Sequence, residues 1–138
     1  MTNSEEYIKK LRKSGLRPTN QRIKICEVLF NTDMTFHFTI KDLVEMIQEK
    51  ANQKISLATV YNTVHAFEKK GYLKEIAINS SQTYFDTNTT DHHHFFDEKN
   101  KKLIDLKNED IHPIKIKKTI SGKKIKSIEV LVRVDTDN

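Results

Sequence analysis

Four stretches in the first half of the chain repeat apolar residues at the three- and four-residue spacing of an amphipathic helix. We predict helices from about residue 4 to Gly15, from Thr19 to about residue 30, from Thr39 onward, and from Ser56 to Gly71. The fourth stretch has the apolar stripe Leu57, Val60, Val64 and Phe67. A globular unit would bury these stripes against one another.

Polar residues at the ends of the stretches agree with this periodicity. Thr39 and Asp42 have the spacing of a capping box, with Asp in place of the usual Glu or Gln. Thr19 and Ser56 are favourable N-cap residues, and Gly71 is a typical helix stop. The predicted helices therefore have chemical start and stop signals as well as periodicity.

After Gly71 the pattern changes to strands. Residues 72–78 and 82–86 are predicted strands around a turn at residues 79–81, which makes a hairpin. Helices followed by a small hairpin are typical of a winged helix-turn-helix, with the fourth helix in the recognition position.

The second half of the chain predicts a smaller α/β unit with a short sheet. Strands are expected at about residues 92–97, 103–106 and 125–134, and the basic segment 107–124 is expected to be mostly coil. The predicted class is α+β, with a DNA-binding domain at residues 1–86, a polar hinge at 87–91 and a dimerisation and sensing domain at 92–138. The last part is small for an independent fold, which favours burial against a partner subunit.

Composition narrows the function classes. The sequence has no apolar run long enough to span a membrane and no signal-peptide pattern, so we expect a cytoplasmic protein without a membrane partner. The single Cys26 excludes an internal disulfide and an all-cysteine zinc site, and it lies on the apolar stripe of its helix. A net charge of +5, concentrated between Glu5 and Lys24, fits an anionic partner, although a solvated helical face would look the same.

The outer face of the fourth helix could contact a DNA major groove. Tyr61 offers ring contacts to thymine methyl groups, and Thr59 and Asn62 can bond bases or phosphates. Arg17, in the turn before the second helix, could enter a narrow minor groove. The alternative interpretation is that this face is simply exposed to solvent and contacts no partner.

Three of the six histidines stand together in Asp91-His-His-His-Phe-Phe96. If this segment is extended, His92 and His94 project to one face and His93 to the other, so His92 and His94 form a pair of metal ligands. A closed tetrahedral site needs two more ligands, for which Asp86 and His37 are candidates. His93 could join His112 in a second metal site. The alternative interpretation of the histidine run is a polar surface loop without a ligand.

Three motifs together resemble the ferric uptake regulator (Fur) family of bacterial transcription factors. They are Gly15-Leu-Arg-Pro-Thr-Asn-Gln-Arg22, Ser56-Leu-Ala-Thr-Val-Tyr-Asn-Thr63 and the histidine run. Within that family, Thr83-Tyr-Phe-Asp-Thr-Asn-Thr-Thr-Asp-His-His-His-Phe-Phe96 is most similar to the iron response regulators, the Irr branch.

The resemblance implies a role for particular positions. It places the family's recognition helix at residues 56–69, with Tyr61 contacting bases and Asn62 where ordinary Fur proteins have arginine. The implied regulatory metal site is His37, Asp86, His92 and His94. The further DNA contacts that we expect are Lys13, Arg17, Arg22, Ser56 and Thr59.

The resemblance also bears on cofactors. The family's structural zinc site of four cysteines is absent, because Asp97-Glu-Lys-Asn100 stands where its first cysteine pair would be. Cys26 is followed by Glu27 and not by the proline of a haem-binding Cys-Pro motif, which leaves His92, His93 and His94 as the candidate haem contacts. The expected cofactor is therefore haem, a divalent metal (Fe, Mn or Zn), or both.

The function that these features predict is that of a homodimeric regulator of iron and haem homeostasis that binds double-stranded DNA at promoter operators. The alternative is a Fur-type repressor that depends on Fe(II), Mn(II) or Zn(II). A metallohydrolase is disfavoured because no obvious general base accompanies the histidine run, and we expect no enzyme activity.

Overall fold

The structure, a computed structural model, describes residues 4–137 and divides into two compact units, residues 1–89 and residues 90–138. Residues 1–3 and 138, the outer ends of the two predicted domains, lie outside the described residues. None of the described helices is long and apolar enough to cross a membrane.

The first unit contains four α-helices, and three of them begin at the N-cap residues expected from the sequence, Thr19, Thr39 and Ser56. The four helices are α1 (Ser4–Lys13), α2 (Asn20–Phe30), α3 (Ile40–Ala51) and α4 (Leu57–Lys70). The predicted capping box at the start of α3 is confirmed: the Asp42 amide donates to Thr39 Oγ1 and the Thr39 amide donates to Asp42 Oδ2, both at 3.1 Å. The helix stop is also confirmed, because Gly71 ends α4 in the left-handed conformation that glycine adopts without strain.

A three-stranded antiparallel sheet completes the first unit, in the order β1-β3-β2. Its strands are β1 (His37–Phe38), β2 (Lys74–Asn79) and β3 (Gln82–Asp86). The predicted hairpin is confirmed, but its first strand begins at Lys74 and not at Tyr72. The Tyr72 amide is used to close the end of α4, where it donates to the Phe67 carbonyl at 2.9 Å.

Strand β1 is not among the strands predicted from the sequence. Two residues are too short for a period-2 pattern to be visible. The buried ring of Phe38 stacks on Phe85 of β3 with centroids 6.0 Å apart, and this contact holds β1 against the sheet.

The core of the first unit lies between the helices and one face of this sheet, and it includes Leu11, Leu29, Leu43, Val64 and Phe67. One position of the predicted α4 stripe is wrong: Leu57 is 61% exposed. It is the first residue of the helix and is not part of the buried core. Thr63 is fully buried instead, and its hydroxyl donates to the Thr59 carbonyl at 2.8 Å, so its polar atom is satisfied.

The second unit is a three-stranded mixed sheet. Its strands β4 (His93–Asp97), β5 (Lys102–Leu106) and β6 (Leu131–Val134) take the order β5-β4-β6. Strand β4 is antiparallel to β5 and parallel to β6. A short 3-10 helix, Asn108–Asp110, follows β5, and most of residues 107–124 is coil as predicted.

Three strand boundaries in the second unit differ from the prediction, and the smallest difference is that β5 begins at Lys102, one residue before its predicted start. The segment predicted to start at His92 becomes strand at His93. The long strand expected at residues 125–134 contracts to β6, because only Leu131–Val134 lie opposite β4 and can form a ladder. Ile125 is 53% exposed, so the apolar alternation before β6 does not correspond to a buried strand face.

Candidate functional site

Three side chains with metal-ligating atoms converge at the sheet of the second unit. The β4–β5 register places His94 opposite Asp105, and His92 precedes β4 by one residue. Asp105 Oδ1 lies 3.4 Å from His92 Nε2 and 3.5 Å from His94 Nε2, and the two imidazole centroids are 4.4 Å apart. The ligating atoms of these residues all lie within 4.8 Å of one another.

The chemistry of this cluster suits a divalent transition metal. Two imidazole nitrogens and one carboxylate oxygen form a donor set typical of zinc, iron and related ions. His92 Nδ1 lies 2.8 Å from the Thr90 carbonyl. When Nδ1–H donates to that carbonyl, Nε2 keeps its lone pair and faces the cluster, as a metal-ligating histidine requires.

Asp105 is not among the ligands predicted from the sequence. The signal that could have found it is a carboxylate inside the apolar segment Leu103-Ile-Asp-Leu106. Its position opposite His94, however, depends on the strand register, which the sequence alone does not display.

His93 lies on the other side of the strand, as the alternation of side chains predicts. Its Nδ1 accepts a hydrogen bond from the Val130 amide at 3.0 Å, so the ring proton of neutral His93 sits on Nε2. His93 and His112 both line an open cavity of about 330 Å³. A metal bound at His93 Nε2 would displace the proton from that nitrogen. The neutral ring would then carry its proton on Nδ1 and lose the bond to Val130, or the ring would bind the metal as an imidazolate.

The other two predicted ligands lie in the first unit. His37 of β1 and Asp86 of β3 are direct partners across the strand pair. The Asp86 carboxylate is almost fully buried, and its Oδ1 accepts from the Asn88 amide at 2.8 Å. The four predicted ligands thus occur as two adjacent pairs, one in each unit.

The predicted base-reading face lies on α4. The Tyr61 side chain is 51% exposed and Asn62 is exposed. An open cavity of about 530 Å³ adjoins them, and it is lined by Lys13, Ser14, Tyr61, Asn62, His65, Ala66, Lys69 and Lys70. A concave surface that carries three lysines and no acidic side chain fits an anionic partner.

Two residues predicted to contact DNA also serve the start of α4. Ser56 Oγ accepts from the Thr59 amide at 3.1 Å and donates to Thr59 Oγ1 at 2.9 Å. Any phosphate contact by either hydroxyl would compete with this capping arrangement.

The two predicted arginines differ in exposure. Arg17 is exposed, whereas Arg22 is half-buried and its Nη1 donates to the Arg17 carbonyl at 3.0 Å. Arg22 therefore stabilises the turn that presents Arg17, a structural role that the sequence does not predict.

Comparison with known proteins places these features in a family. Residues 13–133 match the model of the Ferric uptake regulator family. The peroxide-responsive repressor PerR of Staphylococcus epidermidis is 37% identical over 102 residues, and the peroxide operon regulator of Bacillus subtilis is 34% identical over the same length. Both matches cover 74% of this chain, and the chain spans about two thirds of these relatives, 66% and 68% of their lengths.

A solved structure supports the predicted α+β fold with an N-terminal winged helix. The ferric uptake regulator from Pseudomonas aeruginosa, determined with manganese, superposes with a TM-score of 0.67 at 19% identity, covering 96% of this chain and 98% of that one. At this identity the likeness concerns the fold, whereas the match over residues 13–133 concerns the sequence itself. The chain belongs to the ferric uptake regulator family.

Proposed function

We propose that this chain is a metal-dependent transcriptional regulator that binds operator DNA as a homodimer in the cytoplasm. The observation that carries the proposal is the convergence of His92, His94 and Asp105 in a unit separate from the recognition helix. A regulator of this kind needs a sensor and a DNA-reading surface that occupy different parts of the chain. The proposal assigns no catalytic step.

The proposed regulatory site combines ligands from both units. We propose that a divalent ion held by His92 and His94 is also bound by Asp86 and His37, as the family resemblance implies, with Asp105 as a further donor. Residues 87–91 connect the two ligand pairs. A shared ion would then restrict the angle between the units, and a dimer must present its recognition helices to half-sites at a fixed separation.

The homodimer is supported by the surface of the second unit. Its exposed large aliphatic side chains include Ile104, Ile114, Ile116, Ile120 and Ile125. A unit of this size buries too little apolar surface to be comfortably stable alone, and exposed aliphatic side chains are where a partner subunit would add burial. We propose that a second copy of the chain covers part of this surface.

The metal site is tested by two matched substitutions on one strand. His94→Ala removes a cluster ligand, whereas His93→Ala removes an imidazole that bonds to Val130 on the other side. Isothermal titration with Zn(II) or Mn(II) is expected to show at least about tenfold weaker binding for His94→Ala. His93→Ala should keep most of the affinity. Equal losses in both variants would contradict the proposed site.

The DNA-reading surface is tested by Tyr61→Ala and Lys13→Ala. Base contacts specify sequence, whereas phosphate contacts position the protein, so Tyr61→Ala should reduce cognate binding by about 1–3 kcal/mol more than scrambled binding. Lys13→Ala should weaken both duplexes about equally. The slope of log K against log salt should be about −5 if the dimer makes about six phosphate contacts, and a slope shallower than about −2 would contradict a groove-docked dimer.

The signal to which the regulator responds has three candidates, which are haem, peroxide and the divalent metal itself. The string Thr83–Phe96 that resembles the iron response regulators favours haem, which is expected to disable DNA binding when iron is plentiful. The names of the two relatives favour peroxide. His92, His93 and His94 are only 9%, 8% and 4% exposed, so an axial haem bond to any of them would require the segment to open.

One DNA-binding assay separates these candidates. The metal-loaded protein on its operator is treated with haem in one arm and with hydrogen peroxide in the other. Release by stoichiometric haem, with a Soret shift that is lost when all three histidines are replaced, supports the haem response. Release by peroxide from the Fe(II) form and not from the Mn(II) form supports the peroxide response. If only metal chelation releases the protein from DNA, the result supports a Fur-type repressor that depends on a divalent metal.

A further inference from the structure

His65 lies between the recognition surface of α4 and the sheet of the first unit. Its ring centroid is 4.1 Å from that of Tyr61, one helical turn earlier, with the planes inclined by 45°. On its other side the ring of Phe85 meets it edge-on at 5.5 Å and 83°. Phe85 is buried in β3, so one neighbour of His65 is anchored and the other is exposed.

We propose that His65 is a positioning residue for Tyr61, and this inference rests on the proposed role of Tyr61 in base reading. An exposed tyrosine on a helix ordinarily samples several rotamers, and ordering it on binding costs conformational entropy. Packing against an anchored imidazole restricts those rotamers before DNA arrives. Tyr61 then meets the groove in a preset orientation, and the preference for the cognate sequence rises.

The same packing leads to two of the proposed metal ligands. Phe85 precedes Asp86 on β3 and stacks on Phe38, the neighbour of His37 on β1. A continuous series of rings therefore runs from Tyr61 through His65 and Phe85 to the strand pair that carries His37 and Asp86. A shift of this strand pair on metal binding would reach Tyr61 through His65, so His65 also contributes to the dependence of sequence preference on metal.

The test compares His65→Ala with the conservative variant His65→Phe in the full-length chain. Dissociation constants are measured on cognate and scrambled duplexes, with and without Mn(II). His65→Ala should lower the cognate preference about three- to tenfold, the range expected for the loss of an aromatic contact. His65→Phe keeps the ring packing and should retain the preference. In a Tyr61→Ala background, His65→Ala should change the preference no further.

Three results would overturn this inference. If His65→Phe loses as much preference as His65→Ala, an imidazole nitrogen contacts DNA directly. If neither variant changes the preference, or if the two losses add fully in the Tyr61→Ala background, His65 does not act through Tyr61. A wild-type protein with no cognate preference would instead contradict the proposed function itself.

A different observation carries a second inference, in the coil before β6. Residues 111–128 contain six lysines and no acidic residue. The lysines are all exposed, and they are Lys115, Lys117, Lys118, Lys123, Lys124 and Lys126. Most of the segment has no regular backbone hydrogen bonding, so its side chains can adapt to the spacing of an anionic surface.

We infer that this lysine segment contacts the DNA backbone outside the half-sites that α4 reads. A run of cations without neighbouring carboxylates attracts phosphate and releases condensed counterions when it binds. A homodimer would carry two such segments. The inference rests on the proposed operator binding. The additional contacts would depend on the length of the DNA and not on its base sequence.

Two double substitutions of equal charge test the lysine segment. Lys123→Gln with Lys124→Gln removes two cations from it, and Lys99→Gln with Lys102→Gln removes two exposed cations elsewhere in the second unit. On a long operator duplex the first pair should make the salt slope shallower by about 0.9 for each phosphate that the protein no longer neutralises. The second pair should leave the slope near that of the wild type, and neither should change cognate preference.

Equal slopes for the two double variants, with operator binding intact, would overturn the second inference alone. Vesicles containing phosphatidylglycerol form a further arm of the test. If the Lys123/Lys124 variant loses vesicle binding while its DNA slope is unchanged, the segment serves a membrane surface and the DNA assignment is wrong. Failure of the wild-type protein to bind any duplex would contradict the proposed function.

Discussion

The two units of the chain have interiors of different chemistry. The buried residues of the first unit are mainly aliphatic and aromatic side chains from four helices and a sheet, with Thr63 and Asp86 as the buried polar side chains that the structure describes there. In the second unit, the buried residues that the structure describes are Phe96, Leu103, Leu106, His92, His93 and His94. Half of that set is imidazole.

This difference indicates that the units are stabilised by different means. Aliphatic burial stabilises the first unit without any ligand, by roughly 25 cal/mol for each Å² of apolar surface removed from water. Buried imidazoles contribute little unless hydrogen bonds or a metal satisfy them. The second unit is therefore expected to depend on metal and on a partner subunit, and that dependence is what makes it suitable as a sensor.

The largest expected effect is from Phe67→Ala in the first unit. Phe67 is fully buried between Phe30 and Tyr72, at centroid distances of 5.7 and 6.0 Å. Its truncation should cost about 3–5 kcal/mol, a large fraction of the stability of a small domain. Because the α-helices described all lie in this unit, urea unfolding followed by far-ultraviolet circular dichroism measures it. A loss below about 1 kcal/mol would show that the apolar core is not what holds this unit.

Metal should act on the second unit more strongly than on the first. Zn(II) at a hundredfold excess over its dissociation constant should stabilise the state that binds it by about 2.7 kcal/mol. Hydrogen exchange should show this protection mainly at β4 and β5. His94→Ala should remove it and His93→Ala should retain it. Equal protection of α2 and α3 would break the distinction between the units.

A smaller effect is expected from Thr39→Ala, which removes one partner of the capping box of α3. Loss of an N-cap typically costs about 1 kcal/mol. Urea unfolding should detect this in the first unit, and the metal affinity of the second should remain unchanged. Lys41→Ala is a suitable control, since Lys41 lies in the same first turn and makes no cap.

The smallest change is expected at Cys26, the single thiol of the chain and a fully buried member of the first core. Desolvation raises the pKa of its thiol from 9.0 to about 12. A raised pKa of an acid favours folding below the unfolded value, so this contribution is complete below pH 9 and is lost as the pH rises toward 12. Thiol labelling at about pH 8, below the unfolded pKa, should be slow, and metal chelation should change it less than it changes hydrogen exchange at β4 and β5. Labelling that accelerates on chelation as much as exchange at β4 and β5 does would break the distinction between the units.

Prediction from the sequence succeeded where local chemistry decides the structure. Thr39 and Asp42 are close in sequence, and the box they form needs no distant partner. The hairpin around Ser80 and Ser81 is also local. Prediction failed at β1 and at residues 125–130, because a strand exists only where another segment lies opposite it.

The candidate site also has features that the sequence predicts and features that only the structure shows. Three consecutive histidines are visible in the sequence without any structure. The alternation of His92, His93 and His94 between the two faces then follows from the geometry of an extended chain. The histidines of the run are separated as expected: His94 meets Asp105 and His93 meets the Val130 amide. Neither partner could be read from the run itself.

By itself, the sequence determined the four helices, the wing, the family resemblance and the candidate metal-binding histidines, because each depends on periodicity, capping or a contiguous motif. The tertiary structure decided the register that brings Asp105 to His94, the pairing of His37 with Asp86, and the packing of His65 between Tyr61 and Phe85. These contacts join residues through strand pairing and side-chain packing. The free energy of these contacts depends on which surfaces meet in three dimensions. A pattern that is read along the chain, residue by residue, does not show which surfaces those are.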